Sequence, residues 1–270
     1  MILNMKSYLL KGALLPLKLC SLAMGMILLQ ACGGVEKTET TKLDSPTYSL
    51  IFLDKTQSVN VNKAYVHEKY THALRNIVEQ NLRNKGDQLE VYFIHENTSK
   101  ARALLVNVHS ERENEEGVNA TDRESNETAF QLSLKREKGI FLNQVLHKLE
   151  QTNSGLSNQS TDIWASLPII AKASDSGMDV KVYYFSDMIE SVKGANRRDY
   201  HTKPPVSDQE AAENAKLDYK QLQQYVIGNP EVTIVSPFEP TASSRENNPH
   251  ILHYWQTLFS EMGGVTIEEL

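Results

Sequence analysis

Short apolar runs alternate along this chain with longer segments whose apolar residues recur every three or four positions. Residues 48–53 (YSLIFL) form a nearly continuous apolar run, which is typical of a parallel strand buried on both faces. In residues 62–84 the apolar side chains follow a helical period, which predicts an amphipathic helix. Because the alternation continues to the C-terminus, the sequence predicts an α/β fold: a doubly wound, mostly parallel sheet with helices on both faces.

The remaining elements are predicted from the same two patterns. Strands are expected at 89–94 and 103–108, and they should pair antiparallel because too few residues separate them for a crossover helix. The segment near 110–127 is crowded with Glu, Arg and Asn, which predicts a solvated polar insertion. Further strands are expected at 180–185 and 231–235, and further helices at 135–151, 162–174, 208–226 and 247–262.

The N-terminus has the order of parts of an export signal. Lysines precede an apolar stretch over residues 19–29, which is shorter than the about 20 apolar residues that a membrane span requires. Residues 29–32 (LQAC) then resemble the cleavage site of bacterial lipoproteins, although Gln30 replaces the commoner small residue. This resemblance implies that residues 1–31 are a signal peptide, that Cys32 is lipidated, and that residues 32–46 form a flexible tether.

The expected localisation follows from this signal. Gly33 stands after Cys32, where an aspartate favours inner-membrane retention in many Gram-negative bacteria. We therefore expect a lipid-anchored protein of the cell envelope, at the outer membrane in preference to the inner one. A plain secretory signal and an uncleaved anchor are the two alternatives.

Charge and cysteine content limit the partners and the kinds of site. After removal of residues 1–31 the chain has 239 residues, of which 25 are basic and 34 acidic, so its formal charge is −9 and nucleic acid is not an expected partner. Its length suits one α/β domain over residues 47–270. Cys20 and Cys32 are the only cysteines, so the folded part forms neither an internal disulfide nor a thiolate metal site.

Three polar clusters lie at predicted strand ends or just before a predicted helix. They are residues 54–58 (DKTQS), 160–162 (STD) and 186–187 (SD). All three are expected on one rim, because ligands of such sheets bind at the carboxyl ends of the strands. Together they resemble the metal-ion-dependent adhesion site (MIDAS) of von Willebrand factor A (VWA) domains. That motif is D-x-S-x-S after the first strand, a threonine in a later loop and an aspartate after the fourth strand.

The resemblance implies a role for each of five side chains. Thr56 and Ser58 would bind an ion directly, Thr161 would bind it directly or through water, and Asp54 and Asp187 would hold coordinated waters. Mg²⁺ suits this set, because it takes hard oxygen ligands in octahedral array and keeps several waters. Mn²⁺ and Ca²⁺ are the alternative ions.

Two positions depart from the VWA pattern. Thr56 replaces the usual serine, which keeps the oxygen but adds a methyl group, and Met188 stands where a glycine often follows the aspartate. In a degenerate site Asp54, Ser58 and Thr161 would serve only as caps of helices and turns.

The same resemblance implies a binding module and not an enzyme. Its partner would be a protein or another envelope component, whose Asp or Glu completes the shell of the ion. One alternative is a metal-independent scaffold subunit of an envelope assembly. Another is a phosphohydrolase of the haloacid dehalogenase type, which also has an aspartate after its first strand but needs a second acid where this chain has Thr56.

Overall fold

Six strands form one sheet in the computed structural model, which describes residues 45–114, 116–152, 157–263 and 267–270. They are β1 (Thr47–Asp54), β2 (Gln88–Ile94), β3 (Arg102–Asn107), β4 (Asp179–Phe185), β5 (Glu231–Val235) and β6 (Ile267–Glu269). Across the sheet the order is β3-β2-β1-β4-β5-β6, and all neighbours pair in parallel except β2 and β3, which are antiparallel. The predicted mostly parallel sheet and its one antiparallel pair are confirmed.

The described helices cover both faces of this sheet. They are α1 (Ala64–Asn81), α2 (Ala120–Glu150), α3 (Leu167–Ser174), α4 (Asp208–Leu222) and α5 (Pro249–Gly263). Side chains of β1 alternate between the two faces: Ile51 and Leu53 pack with α1 and α2, whereas Leu50 and Phe52 pack with α3, α4 and α5. The sheet is therefore buried on both sides, as the predicted α/β class requires.

Helix α2 corrects the sequence-based prediction of a polar insertion near 110–127. The helix begins at Ala120, whereas the sequence predicted a start near residue 135. No residue from 120 to 129 is buried, so this part of the helix carries no apolar stripe to reveal it. Asn119 instead starts the helix with its side chain, which accepts a hydrogen bond from the Asp122 backbone N–H at 2.9 Å.

Three smaller differences concern other element ends. The predicted helix over 162–174 begins as a 3-10 turn at Trp164–Ser166 and becomes α-helical only at Leu167. Helix α4 ends at Leu222 and not near residue 226. Strand β6 has the sequence Ile-Glu-Glu, which contains no apolar run and so gave no signal.

The strand order places a crevice at the centre of the sheet. From β1 the chain moves outward to β2 and β3, then returns to the other side of β1 and continues through β4, β5 and β6. The carboxyl ends of β1 and β4 therefore border the switch point, where open α/β sheets bind their ligands.

Residues Leu43–Leu270 group into one compact unit. None of the described helices is both long enough and apolar enough to cross a membrane. The predicted signal over 1–31, the lipidation site Cys32 and the tether, apart from its last two residues, lie outside the described residues.

Candidate metal centre

The two predicted aspartates lie side by side at the switch point. Asp54 is the last residue of β1, and Asp187 follows Ser186 directly after the end of β4, which pairs in parallel with β1. The side chains are nearly inaccessible, since Asp54 is 2% exposed and Asp187 is 8% exposed. The fold thus brings together two carboxyl groups that are 133 positions apart in the sequence.

Three hydrogen bonds hold the Asp54 carboxylate. The Thr56 hydroxyl and the Thr56 backbone N–H both donate to Oδ1, at 2.6 and 2.9 Å, and the Ser186 hydroxyl donates to Oδ2 at 2.6 Å. The Thr56 and Ser58 hydroxyl oxygens lie 3.1 Å apart. Asp54, Thr56 and Ser58 therefore form one connected polar group, to which Ser186 belongs as well.

Sequence reasoning gave Ser186 no role of its own. Its hydroxyl donates to Asp54 and accepts from the Met188 backbone N–H at 2.9 Å, so it links the end of β1 to the turn after β4. Its place directly before Asp187 was the available signal. That signal is weak, because serine is common in turns.

Burial makes both aspartates weaker acids than an exposed aspartate. Desolvation is the main cause that raises the pKa of Asp54, to about 7, and the negative charge of Asp187 adds to it. Burial also raises the pKa of Asp187, against the opposing effect of a hydrogen bond from Ser58. Neither carboxylate forms an ion pair with a basic side chain of the described ranges: Lys55 attracts Asp54 electrostatically, but its ammonium group donates to the Leu149 carbonyl at 2.6 Å. Two buried like charges without a cation would be relieved by a bound positive ion.

Thr161 reaches the same rim through its loop. Backbone hydrogen bonds connect this loop to the segments that follow β1 and β4. Gln57 N–H, after β1, donates to the Asn158 carbonyl at 3.1 Å, and Ser191 N–H, after β4, donates to the Thr161 carbonyl at 2.9 Å. Thr161 is fully buried, and its hydroxyl oxygen has no hydrogen-bond partner among the described residues. A buried, unpaired hydroxyl is a group that a metal ion or a water could satisfy.

The turn after Asp187 has a strained backbone. Met188 has φ 58°, and no other non-glycine residue of the described part has a positive φ. This left-handed conformation favours glycine, since a side chain makes it costly. In this chain the strain is compensated by packing, because Met188 is 2% exposed and its carbonyl accepts from Trp255 Nε1 at 2.8 Å.

A cleft opens beside Asp187. Its volume is about 450 Å³, and Ser58 and Asp187 form part of its wall. Tyr65, Ile189 and Phe238 supply apolar surface, while Lys63, Glu239 and Glu246 supply charge. The cleft opens onto the predicted metal ligands Ser58 and Asp187. Its residues after β5, Phe238, Glu239 and Glu246, were not assigned to the site from the sequence.

The donor set fits a hard divalent ion. In the described ranges no group of three or more His, Cys, Asp or Glu side chains is arranged to hold a metal, so a zinc site or a carboxylate cage is absent there. The hydroxyls of Thr56, Ser58 and Thr161 with two nearby carboxylates instead match the preference of Mg²⁺ for oxygen ligands and retained waters. The unpaired Thr161 hydroxyl and the paired charges of Asp54 and Asp187 are the observations that support this fit.

Comparisons with known proteins give only distant structural similarities. No protein-family model and no curated protein matches the chain. Among solved structures, the PilB minor pilin from Streptococcus sanguinis is 8% identical with a TM-score of 0.41, covering 84% of this chain and 57% of its own. The manganese-loaded TRAP protein of Plasmodium vivax is 11% identical with a TM-score of 0.33, covering 76% of this chain and 62% of its own.

A von Willebrand factor type A protein from Catenulispora acidiphila is 12% identical with a TM-score of 0.31, covering 83% of this chain and 38% of its own. The chain thus spans less than two thirds of each of these three structures. Similarities this low assign neither a site nor an activity. The fold of the chain rests on its own sheet order, and the site rests on its own side chains.

Proposed function

We propose that this protein is a lipid-anchored binding module of the VWA type, which engages a protein or envelope partner through a divalent ion. One observation carries the proposal: Asp54 and Asp187 are buried together at the switch point, neither forms an ion pair with a described basic side chain, and hydroxyl groups donate hydrogen bonds to them. Such an arrangement is unfavourable alone and becomes favourable around a cation.

The hydrogen bonds indicate how the ligands would be shared. Thr56 donates its proton to Asp54, so its hydroxyl oxygen, which also lies 3.1 Å from Ser58 Oγ, can offer a lone pair to an ion. Ser58 and Thr161 would contribute the other hydroxyls, while Asp54 and Asp187 would orient coordinated waters. When bound, Mg²⁺, Mn²⁺ or Ca²⁺ would attract an acidic side chain of the partner.

We propose binding and not catalysis as the role of this rim. A haloacid dehalogenase-type mechanism needs a carboxylate two residues after the first aspartate, and Thr56 cannot supply one. The cleft beside Asp187 leads to hydroxyl ligands and to an apolar wall that suits a partner side chain.

A metal-independent scaffold of an envelope assembly is the second candidate, and one observation favours it. Burial and the charge of Asp187 raise the pKa of Asp54 to about 7, against the opposing effect of its three hydrogen bonds, so this group can remain buried as a neutral acid near neutral pH. In that state the rim would need no cation.

Magnesium-dependent melting separates the two candidates. With Mg²⁺ at a hundredfold above its dissociation constant, binding should stabilise the folded state by about 2.7 kcal/mol, which is several degrees in melting temperature. Asp187→Ala and Asp54→Asn should abolish this shift and leave the protein folded, because each removes a charge at the rim.

Asp175→Ala is the matched control. Asp175 is an exposed carboxylate that caps the C-terminal end of α3, before β4 begins, and is therefore at the opposite end of the sheet. This variant should keep the full magnesium shift. If the wild type melts at one temperature in Mg²⁺, Mn²⁺ and chelator, the metal-independent scaffold is the better account.

A further inference from the structure

Tyr70 is a buried residue with an unexplained polar atom. It lies on the inner face of α1 and is 0% exposed, and its hydroxyl has no hydrogen-bond partner among the described residues. Burying a hydroxyl without a partner is unfavourable, and buried hydroxyls in folded proteins almost always find one. A residue that only filled the core could be phenylalanine, so the oxygen requires a separate explanation.

The position of Tyr70 places this oxygen beneath the candidate metal centre. Its ring packs edge-on against Phe185, with 5.0 Å between ring centroids, and Phe185 directly precedes Ser186 and Asp187. Val66, one helical turn earlier on α1, lines the cleft together with Asp187. Side chains on a helix lean toward its N-terminus, so the Tyr70 hydroxyl extends toward that cleft.

The electrostatic surroundings of Tyr70 agree with this placement. Burial is the main cause that raises its pKa, and the charges of Asp54 and Asp187 raise it further. Both carboxylates of the candidate centre therefore act on this hydroxyl, which stays protonated and is available as a hydrogen-bond donor.

We propose that Tyr70 is a positioning residue of the metal centre, whose hydroxyl donates to a water held between the ion and the aspartates. This inference rests on the proposed metal-dependent function. Without an ion the hydroxyl stays unpaired and lowers stability, and with an ion it orients the hydration shell. The Tyr70 hydroxyl thus lowers the stability of the metal-free protein and increases its affinity for the metal.

Tyr70→Phe in the full-length protein tests both effects of the hydroxyl, because it removes one oxygen and keeps the ring. The metal-free variant should melt at a temperature equal to or above that of the wild type, since the unpaired hydroxyl is gone. Its magnesium affinity, measured from the melting shift over a magnesium titration, should fall about 10- to 100-fold, as for other groups that orient metal ligands. A residue of purely structural importance would lower the metal-free melting temperature instead.

Tyr200→Phe is the matched control. Tyr200 is 3% exposed, and its hydroxyl also has no partner among the described residues, but its ring packs against Tyr254 in the core on the other face of the sheet. Without metal, Tyr200→Phe should melt at a temperature equal to or above that of the wild type, as Tyr70→Phe should. Its magnesium affinity should equal that of the wild type.

The possible outcomes separate the inference from the proposed function. A wild type without any magnesium shift overturns both. A wild-type shift that Tyr70→Phe retains at the same affinity overturns the role of Tyr70 and leaves the metal-binding function standing. An equal loss of affinity in both variants also overturns it, because the effect would then not depend on proximity to Asp54 and Asp187.

Discussion

In the proposed metal centre, the protonation of Asp54 would decide whether the rim can hold a cation. Asp54 accepts three hydrogen bonds, and its pKa is raised to about 7, mainly by burial and then by the charge of Asp187. A proton and a metal ion therefore compete for the same negative charge, which makes pH a direct probe of the site.

The magnesium-induced melting shift should grow as pH rises from 5 to 8. The ordinary pKa of Asp54 is 3.8, so between that value and about 7 the folded metal-free protein holds a proton that the unfolded chain has released. Stability from this group is thus complete below about pH 4 and is lost as pH rises through 7. The proposed magnesium site requires the charged form, so the effect of magnesium should be small at pH 5 and largest at pH 8.

Melting curves with and without magnesium across this pH range check the prediction, and Asp54→Asn is the comparison. Asparagine resembles the protonated acid but does not titrate, so the variant should show no magnesium shift at any pH. A wild-type shift of constant size from pH 5 to 8 would contradict the assignment of the charge to Asp54.

The residues of the candidate site differed in how well the sequence revealed them. Asp54, Thr56 and Ser58 lie within five positions after an apolar run, and this spacing is visible directly. Tyr70 was indistinguishable from the other members of the apolar stripe of α1, because sequence periodicity shows which face is buried but not whether a hydroxyl is paired. The adjacency of β1 and β4 brings Asp187 into the group, and that information belongs to the fold.

At the scale of elements, strands buried on both faces were the most predictable. The apolar run of β1 is nearly continuous in the sequence because almost all of its residues are buried, and β4 and β5 end in buried apolar residues although Lys181 and Thr233 interrupt them. The N-terminal part of α2 was missed for the opposite reason. None of its residues from 120 to 129 is buried. It contacts the rest of the domain through Arg112, which donates to Glu127 at 2.9 Å and lies over the Phe130 ring.

Asn119→Ala should loosen the start of α2. The Asn119 side chain accepts from the Asp122 backbone N–H, and loss of such a cap costs about 1 kcal/mol. Because these first turns contact little of the core, we expect faster amide hydrogen exchange over 120–126 and an unchanged rate near Val145. Asn126→Ala is the control within the helix, where alanine should slow exchange slightly. Equal exchange in the wild type and Asn119→Ala would show that tertiary contacts, and not the cap, hold this end.

At the scale of the whole molecule, the acidic charge and the candidate metal centre are complementary. The chain after residue 31 has a formal charge of −9, so an acidic partner would be repelled at long range. A divalent ion at the rim reverses the sign of the field locally, and only a partner that reaches the ion directly gains from it. Binding of an acidic partner side chain therefore requires the ion, so the metal-free protein should show little affinity for acidic ligands.

Attachment to a membrane is the proposed property of the whole molecule that depends on a single atom, the sulfur of Cys32. We expect the wild type in the membrane fraction, with a mature N-terminus at Cys32 that carries acyl chains, because each buried CH₂ of a chain contributes about 0.8 kcal/mol. Cys32→Ser should leave an uncleaved precursor or release the protein. Cys20→Ser is the matched control, since Cys20 lies inside the predicted signal, and it should leave lipidation intact. Mass spectrometry of the N-terminal peptide decides the question, and a mature N-terminus at another residue without acyl chains would exclude the lipoprotein assignment.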